Sequence, residues 1–267
     1  TCEVTATEED SGTPTETEVL ATGFEDEVLL NDSGTNFAIS SNMARTGKNS
    51  LLVRDSNQDW KGPEFTLSQD GTYTVSAYVR TVSGSSIDYA FMNASTYAEY
   101  DSKRPNSDNE WTQIQGTVTV SGAAVTLRIC AKSASTSNLI SYYIDDFKVL
   151  GSDSSVVMSS GFEDVLLVDD SGTNFAITKA DKRTGNNSLI VTSVTQNYQG
   201  PAFTLADAGT YNLKVYVKST SDAQTFSFWD ANSYNDYGDI VNNDGSEWTL
   251  ISGQVTVPEG GVTIRIR

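Results

Sequence analysis

The sequence has 267 residues and no histidine, with 35 acidic side chains against 17 basic ones and a net charge of −18. The lack of histidine excludes imidazole as a catalytic base or zinc ligand, and the negative charge disfavours nucleic acid and anionic lipid as partners. No run of about 18 apolar residues occurs, so the sequence predicts no membrane-spanning helix.

The chain opens with an acidic, threonine-rich stretch, residues 1–19, that has almost no large apolar side chains. Such a composition is typical of a linker or arm. Cys2 lies in this stretch and Cys130 is the second cysteine. The sequence allows either one disulfide bridge between them or two free thiols. Since the first residue is not Met and the composition resembles that of secreted all-β proteins, we expect a secreted or cell-surface bacterial protein.

Period-2 alternation marks short strands in the first half of the chain, between clusters of Gly, Asn, Asp and Ser. The segments with the clearest alternation are Tyr73 to Val79, Gln113 to Val120, Val125 to Ile129 and Tyr142 to Val149. We find no helical period. Many such strands at short spacing predict an all-β fold over residues 20–151, a jelly-roll β-sandwich of two antiparallel sheets.

An internal repeat indicates that this fold occurs twice. The segment Asp32 to Ile39 (DSGTNFAI) recurs unchanged at residues 170–177, an offset of 138 residues. After a one-residue deletion the offset becomes 137, as between Trp111 and Trp248. The sequence therefore predicts two tandem sandwich modules, the second at residues 158–267, with a short linker at residues 152–157.

The second copy ends before the first one does. Arg267 aligns with Cys130, so the counterpart of Ala131 to Leu150, with its last strand, is missing from the second copy. A sandwich that lacks this strand exposes an unpaired edge. We therefore expect the polypeptide to continue beyond Arg267, or the missing strand to come from elsewhere, including from another chain by self-association.

The order of several short motifs in the first copy resembles that of the family 22 carbohydrate-binding modules found beside xylanase domains, and less closely that of families 4 and 9. These motifs are Gly23-Phe24-Glu25-Asp26, Trp60-Lys61-Gly62-Pro63, Glu110-Trp111-Thr112 and Ile144-Asp145-Asp146-Phe147. The resemblance implies a sugar cleft on one concave sheet. The chain departs from the family where a glutamate usually follows the penultimate strand, because Cys130 to Ser133 contains no acid.

The resemblance also implies which aromatic residues bind the sugar. The aromatic of the Trp-x-Gly-Pro motif maps onto Trp60 and Tyr198. A tyrosine before the Trp-Thr turn maps onto Tyr97 and Tyr234, and Tyr100 and Tyr237 follow closely. All lie in polar stretches, which suggests exposure, although loop tyrosines also pack over sandwich ends.

A further aromatic candidate comes from strand periodicity. Trp229 alternates with Phe226 and Phe228, so it points outward if the phenylalanines belong to the core. Flat, exposed aromatic rings suit sugar binding because they cover the apolar C–H face of a sugar ring. By contrast, Trp111 and Trp248 begin strands after turns, and we expect them to be packing residues.

A structural calcium ion is implied by the same resemblance, on the side opposite the cleft. Its predicted ligands are Glu25 and Glu163 near the first strands and Asp145 and Asp146 near the last, with a backbone carbonyl of Lys48 or Asn186. Calcium takes six to eight oxygen ligands, which these groups supply. A solvated acidic turn is the alternative interpretation.

These features predict a non-catalytic protein that binds plant cell-wall polysaccharide, most of all xylan or a related β-1,4 glycan. It would target an attached glycoside hydrolase, or the cell, to that polymer. Glycoside hydrolysis itself needs paired carboxylates, and the repeat has no paired glutamates on one strand face. The alternative function is a structural or adhesive surface protein or filament subunit, because tandem acidic sandwiches also build such assemblies.

Overall fold

In the computed structural model, the described residues are 2–8, 15–22, 36–83, 87–105, 109–160, 174–192 and 194–267, and these residues form twenty β-strands and no helix. The first twelve strands are β1 (Cys2–Glu8), β2 (Thr15–Thr22), β3 (Asn36–Ser40), β4 (Ser50–Ser56), β5 (Glu64–Leu67), β6 (Gly71–Ser83), β7 (Tyr89–Asn93), β8 (Glu99–Lys103), β9 (Thr112–Val120), β10 (Val125–Ala131), β11 (Ile140–Leu150) and β12 (Val156–Ser160). The other eight are β13 (Asn174–Thr178), β14 (Ser188–Thr192), β15 (Ala202–Leu205), β16 (Gly209–Val217), β17 (Gln224–Asp230), β18 (Asp236–Asn243), β19 (Thr249–Val257) and β20 (Val262–Ile266).

The predicted strands are confirmed, and their alternation decides which side chains are buried. In β6 the buried positions are Tyr73, Val75, Ala77, Val79 and Thr81, and the residues between them are more exposed. Strand β16 repeats this pattern with Tyr211, Leu213, Val215 and Val217. Because successive side chains of a strand point to opposite faces, each strand buries one face and exposes the other.

The first module is a sandwich of two antiparallel sheets. One sheet has the order β3-β4-β11-β6-β9, with β12 paired to β11, and the other has the order β5-β10-β7-β8. The sheets pack face to face through aromatic contacts. The ring centroids are 4.7 Å apart in the edge-on pair Phe65 and Phe147 and 5.1 Å apart in the tilted pair Tyr89 and Tyr142. The buried Tyr142 hydroxyl donates to the Ile129 carbonyl at 2.8 Å, so its polar atom is satisfied inside the core.

The second module repeats this design. Its sheet β15-β20-β17-β18 corresponds to β5-β10-β7-β8 of the first module. A core cluster joins that sheet to β16 and β19, and its fully buried members are Leu213, Phe228, Ile251 and Ile264. The prediction of two tandem jelly-roll sandwiches is therefore confirmed.

The N-terminal stretch, which the sequence predicted as a linker or arm over residues 1–19, contains the strands β1 and β2. Strands β1 and β2 pair with each other, and β1 also pairs with β16, so the second sheet of the second module has the order β19-β16-β1-β2. Alternation of Thr with apolar or acidic residues is compatible with a strand. The N-terminal strand pair, β1 and β2, therefore lies where the second copy lacked its last strand.

The N-terminal strand pair reproduces the geometry of β11 and β12 in the first module. Val4 lies opposite Leu213, just as Val149 lies opposite Val75, and Leu213 and Val75 are equivalent in the repeat. A register shift follows Val4 in its pairing with β2, and the same shift follows Val149 in its pairing with β12. Strand β1 thus lies next to β16 in the same way as β11 lies next to β6 in the first module.

The chain divides into two compact units, and their boundaries differ from the predicted module boundaries because the N-terminal strand pair packs with the second module. One unit contains β3 to β12, and the other contains β1, β2 and β14 to β20. Strand β12 begins at Val156, inside the predicted linker of residues 152–157, and belongs to the first unit. Strand β2 precedes the Gly-Phe-Glu-Asp motif of the first copy but belongs to a sheet of the second module. Strand β12 precedes the motif of the second copy but belongs to a sheet of the first module.

Cys130 is a buried free thiol on β10, so a bridge to Cys2 is excluded. Burial raises the pKa of the Cys130 thiol to about 12, which keeps it protonated and unreactive at neutral pH. Within the part of the chain that is described, no helix has the length and apolar character needed to cross a membrane.

Candidate functional site

An open cleft of about 440 Å³ lies on the second module. It is lined by Asn197, Tyr198, Trp229, Ala231, Tyr234 and Arg265. Three of the seven aromatic residues predicted from the sequence thus meet in one place. Tyr198 and Tyr234 remain largely open to solvent, with 49% and 69% of their surface exposed.

Cross-strand pairing explains why the cleft residues share a face. Arg265 on β20 lies opposite Ala202 on β15 and opposite Trp229 on β17. Trp229 in turn lies opposite Asp236 on β18. Residues directly opposite in neighbouring strands point to the same side of a sheet. These four positions, Ala202, Arg265, Trp229 and Asp236, form a row across the outer face, which we call the cleft row of the second module.

Trp229 is on the outer face as predicted, but it is not exposed. Only 7% of its surface is accessible, because the Tyr234 ring lies 5.1 Å away and the Arg267 guanidinium lies 5.1 Å from its ring centroid. The indole N–H donates to the Tyr234 carbonyl at 2.9 Å. Trp229 therefore lies at the bottom of the cleft, and Tyr234 forms a solvent-exposed side of it.

Tyr234 is presented by a turn that begins at the end of β17. The Asp230 carboxylate accepts the N–H groups of Asn232 and Ser233 at 2.8 and 2.9 Å, and the Tyr234 N–H donates to the Asp230 carbonyl at 3.0 Å. Tyr234 itself has a φ of 66°, a left-handed conformation that residues other than Gly, Asn and Asp rarely adopt. The hydrogen-bonded turn holds this conformation and aims the ring into the cleft.

Tyr237 has a supporting role that the sequence did not reveal. Its hydroxyl donates to the Asp230 carboxylate at 2.7 Å, and its ring is partly buried against the core cluster. Burial acts to raise the pKa of Asp230, but hydrogen bonds from the turn N–H groups and from Tyr237 outweigh it and lower the pKa to about 2. Burial and the same carboxylate raise the pKa of Tyr237 to about 12. Tyr237 therefore supports the Tyr234 turn and is not one of the cleft-lining residues.

The Gly-Pro motif ties Tyr198 to the cleft sheet. A Cβ on Gly200 would lie 2.0 Å from the Ile266 carbonyl oxygen, so only glycine permits this approach. The Ile266 N–H donates to the Pro201 carbonyl at 2.9 Å, and Arg265 donates to the Gly200 carbonyl. Two residues after Tyr198, the chain is thus fixed against β20.

The first module has an equivalent arrangement with different chemistry. Tyr97 is 57% exposed, and its φ of 60° matches that of Tyr234. Asn93 takes the place of Asp230 and accepts two N–H groups of the turn at 2.9 Å. Tyr100 is partly buried, and its backbone approaches Gly116 so closely that a Cβ there would lie 3.0 Å from the Tyr100 carbonyl oxygen.

Trp60 is partly exposed, and two positively charged side chains lie over its ring. The Arg128 guanidinium lies 5.6 Å and the Lys61 ammonium 5.5 Å from its ring centroid. Arg128 also pairs with the Glu64 carboxylate, with Nε and Oε1 2.5 Å apart. The cleft row of the first module, Glu64, Arg128, Met92 and Glu99, therefore has a buried methionine where the second module has Trp229.

Arg265, Asn197 and Ala231 line the cleft but were missed from sequence. Arg265 had a detectable signal, since alternation along Val262 to Ile266 places it on the outer face of β20. Asn197 and Ala231 lie in a loop and a turn, where periodicity gives no direction. Trp111 packs 6.5 Å from Tyr143, as expected for a packing residue.

Part of the predicted calcium site falls outside the described residues, namely Glu25 and Glu163. Lys48 and Asn186 are exposed. Among the residues that are described, no group of three or more His, Cys, Asp or Glu side chains is placed to hold a metal ion.

Asp145 and Asp146 instead clamp the loop before β4. The Asp145 carboxylate accepts the N–H groups of Arg45 and Thr46 at 2.7 and 3.2 Å. Asp146 accepts the Thr46 hydroxyl at 2.6 Å and pairs with the Arg45 guanidinium. Burial raises the pKa of Asp145 although these backbone N–H groups act to lower it. The two described acids, Asp145 and Asp146, thus accept hydrogen bonds from protein donors.

Residues 20–138 match the family model CBM_4_9, described as a carbohydrate binding domain. The predicted resemblance to carbohydrate-binding modules is therefore confirmed, and the internal repeat extends it to the second copy. The part of this chain that the family model matches lies in the first of its two sandwich modules.

Several individual proteins that resemble this chain come from bacteria. The chain is similar to endo-1,4-beta-xylanase A of Thermoanaerobacterium saccharolyticum, with 26% identity over 245 residues, 79% of this chain and 21% of the xylanase. The chain thus spans about a fifth of that relative. A solved tandem of two family 22 carbohydrate-binding modules from Paenibacillus barcinonensis is 17% identical and covers 91% of this chain and 87% of its own, with a TM-score of 0.38. The C-terminal family 22 module of a Clostridium thermocellum protein is 20% identical over 49% of this chain and 91% of its own, also with a TM-score of 0.38.

Proposed function

We propose that this protein binds plant cell-wall polysaccharide without cleaving it, and that its ligand is xylan or a related β-1,4 glycan. The observation that carries the proposal is the open cleft in which Tyr198, Trp229 and Tyr234 meet. Open clefts admit an internal stretch of a polymer, whereas closed pockets admit only ends or small molecules.

The cleft chemistry matches a sugar chain. Exposed tyrosine rings cover the C–H faces of sugar rings and lose little conformational entropy on ordering. The Asn197 amide and the Arg265 guanidinium supply hydrogen-bonding groups for sugar hydroxyls at the same cleft. Apolar stacking combined with a few polar groups is typical of ligand sites that fix orientation.

The same lining supports a non-catalytic role. Glycoside hydrolysis uses two carboxyl groups that flank the scissile bond about 5 to 9.5 Å apart. The six residues that line the cleft include no Asp or Glu. Two modules on one chain bind a polymer with avidity, because the second contact is intramolecular.

The similarity to an endo-1,4-beta-xylanase supports a wider proposal. We infer that the protein acts outside the cell and brings an attached glycoside hydrolase, or the cell surface, to its polysaccharide. The support is the likeness to a xylanase of which this chain spans 21%.

Titration calorimetry with xylohexaose and cellohexaose tests the binding proposal. We expect xylohexaose to bind, and Tyr198→Ala and Tyr234→Ala to weaken binding to the second module about tenfold or more, because each removes a stacking surface. Tyr234→Ala should leave the melting temperature almost unchanged, since the ring is 69% exposed. Absence of binding to both oligosaccharides by the folded protein would contradict the proposal.

We propose separately that the protein binds a structural calcium ion. The family resemblance and the position of Asp145 and Asp146 support this proposal. We expect millimolar Ca²⁺ to raise the melting temperature relative to excess chelator. Mg²⁺ at equal concentration should do so less, because it favours stricter octahedral geometry. Identical melting curves under all three conditions would argue for the hydrogen-bonded clamp alone.

A further inference from the structure

We propose that the second module is the stronger glycan-binding module of the two, and that Trp229 makes it so by holding the Tyr234 ring in place. This inference rests on the proposed function and concerns the same cleft. Trp229 is a positioning residue, because it acts on the sugar through Tyr234. The first module has Met92 at the equivalent position and therefore binds the same glycan more weakly.

The strand pairing of the two modules shows that Met92 and Trp229 are equivalent. Trp229 lies opposite Arg265 on β20, and Met92 lies opposite Arg128 on β10. In each module the next residue along the strand begins the turn that presents the exposed tyrosine. The exchange therefore alters one residue next to this turn, while the turn itself is kept.

Trp229 contacts both the ring and the backbone of Tyr234. The two ring centroids are 5.1 Å apart with 36° between the ring planes, and the indole N–H donates to the Tyr234 carbonyl at 2.9 Å. The φ of 66° at Tyr234 is a conformation that a non-glycine residue keeps only when its surroundings hold it there. Trp229 thus supports a residue whose side chain is otherwise 69% exposed.

Trp229 is able to hold another side chain because it is itself held. Only 7% of its surface is accessible, and the Arg267 guanidinium lies 5.1 Å from its ring centroid. A tryptophan side chain has few rotatable bonds, so a packed indole keeps little conformational freedom. The Tyr234 ring therefore rests on a rigid surface before any sugar arrives.

Met92 cannot act on Tyr97 in the same way. Its thioether has no N–H or O–H group, so it cannot donate a hydrogen bond to the Tyr97 carbonyl. Its side chain is unbranched and flexible, and with 2% of its surface exposed it presents no flat ring next to the tyrosine. Tyr97 keeps the hydrogen bond from its N–H to the Asn93 carbonyl at 2.9 Å. Its ring nevertheless loses more freedom than that of Tyr234 when a sugar stacks on it.

The cost of ordering the tyrosine ring predicts which module binds more tightly. Side chains that become ordered only on binding reduce the affinity, whereas side chains that are already held do not. Ring size at the Gly-Pro motif predicts the opposite order, because Trp60 of the first module is larger than Tyr198 of the second. The order of the two affinities therefore distinguishes positioning by Trp229 from the size of the motif aromatic.

Titration calorimetry of the full chain with xylohexaose compares the modules one at a time. Trp60→Ala together with Tyr97→Ala leaves the second module able to bind, and Tyr198→Ala together with Tyr234→Ala leaves the first. We expect the second module to bind about fivefold more tightly, which is the size of effect that the ordering of one side chain produces. Equal affinities, or tighter binding by the first module, would overturn the inference and leave glycan binding intact.

Substitutions of Trp229 in the chain with the weakened first module test its role directly. Trp229→Met installs the residue of the first module, and we expect it to remove the whole difference of about fivefold. Trp229→Phe keeps an aromatic ring but loses the N–H group, so its loss of affinity should be smaller. Leu250→Ala, which removes an exposed apolar side chain of the other sheet, is the control and should leave the affinity unchanged. Unchanged affinity of Trp229→Met would also overturn the inference.

A double-mutant cycle shows whether Trp229 acts through Tyr234. In a chain that already carries Tyr234→Ala, we expect Trp229→Phe to change the affinity by less than about twofold, because the ring that it positions is gone. Titration followed by nuclear magnetic resonance measures binding of this weakness. The full loss of affinity in the Tyr234→Ala background would show that Trp229 contacts the sugar itself, and would overturn its positioning role.

Failure of the folded wild-type chain to bind xylohexaose or cellohexaose would instead overturn the proposed function together with this inference. Far-UV circular dichroism and the melting temperature of each variant confirm that the chains compared are folded.

Discussion

Tyr97 and Tyr234 adopt the same left-handed backbone conformation, with φ of 60° and 66°. This conformation costs a non-glycine residue roughly 1 kcal/mol or more, and in both modules a hydrogen-bonded turn holds it. The turn begins with Asn93 in one module and with Asp230 in the other. Because both copies keep this arrangement although most residues around the tyrosine differ, we infer that it directs the ring outward.

The replacement of Asn93 by Asp230 predicts that this turn contributes a pH-dependent term to the stability of the second module and not of the first. The pKa of Asp230 in the folded protein is about 2, below its usual value of 3.8. A lowered pKa means that the ionised form stabilises the fold above pH 4, and that this stabilisation is lost as the pH falls towards 2. We expect Asp230→Asn to lower the free energy of unfolding by roughly 2 kcal/mol at pH 6, since one pKa unit corresponds to about 1.4 kcal/mol.

Urea unfolding of wild type and Asp230→Asn at pH 6 and pH 2.5 measures this effect. The difference between the two proteins should shrink at the lower pH, and asparagine should preserve the turn, as Asn93 does in the first module. Asp239→Asn, which removes an exposed carboxylate of β18, is the control. A difference that stays constant between the two pH values would show that Asp230 acts by geometry and not by charge.

Among the secondary-structure elements, the contact between the Gly200-Pro201 segment and β20 determines where Tyr198 lies. Gly200 has a φ of 143° and leaves no room for a Cβ against the Ile266 carbonyl. We expect Gly200→Ala to lower the melting temperature of the second module by several degrees, because a clash and an unfavourable backbone conformation combine. It should also weaken glycan binding by displacing Tyr198.

Gly260→Ala separates these two causes. Gly260 also has a positive φ, 100°, but a Cβ there would meet no atom within 4 Å. Its substitution therefore reports the backbone penalty alone. If Gly200→Ala and Gly260→Ala lower the melting temperature equally and both leave glycan binding unchanged, the close approach to β20 has no role in placing Tyr198.

For the molecule as a whole, the notable feature is that the N-terminal strand pair joins a sheet of the second module. Cys2 lies opposite Val215 in the pairing of β1 with β16. Opposed residues of antiparallel strands have Cα atoms about 4.5 to 5.5 Å apart, a distance that a disulfide spans. We expect Val215→Cys to form an intrachain disulfide with Cys2 on mild oxidation, and the product to be a monomer with a raised melting temperature.

Thiol counting under denaturing conditions and non-reducing electrophoresis give the readout. Cys130 is buried and its pKa is raised to about 12, so it should stay reduced and serve as an internal reference. Val217→Cys is the matched control, because β1 has no residue opposite Val217. Disulfide-linked dimers in place of monomers would show that β1 closes the second module of another copy, which is the self-association expected of a structural protein.

Much of the architecture could be predicted from the sequence because it depends on local periodicity. The alternation in β6, β9, β10 and β11 specifies which face of each strand is buried, and a verbatim repeat implies a repeated fold. The exposure of Tyr97, Tyr198 and Tyr234 was also predictable, because polar neighbours cannot form a core strand. The outward face of Trp229 followed from its alternation with Phe226 and Phe228.

Other features were decided only by tertiary structure, because they depend on pairing between segments distant in sequence. Periodicity placed Trp229 on the outer face but could not show that Tyr234 and Arg267 cover it. The acidic composition of residues 1–19 predicted a linker or arm, and could not show that β1 pairs with the edge of β16. Arg265 became a cleft residue only through its register with Ala202 and Trp229, which the sequence of β20 alone does not contain.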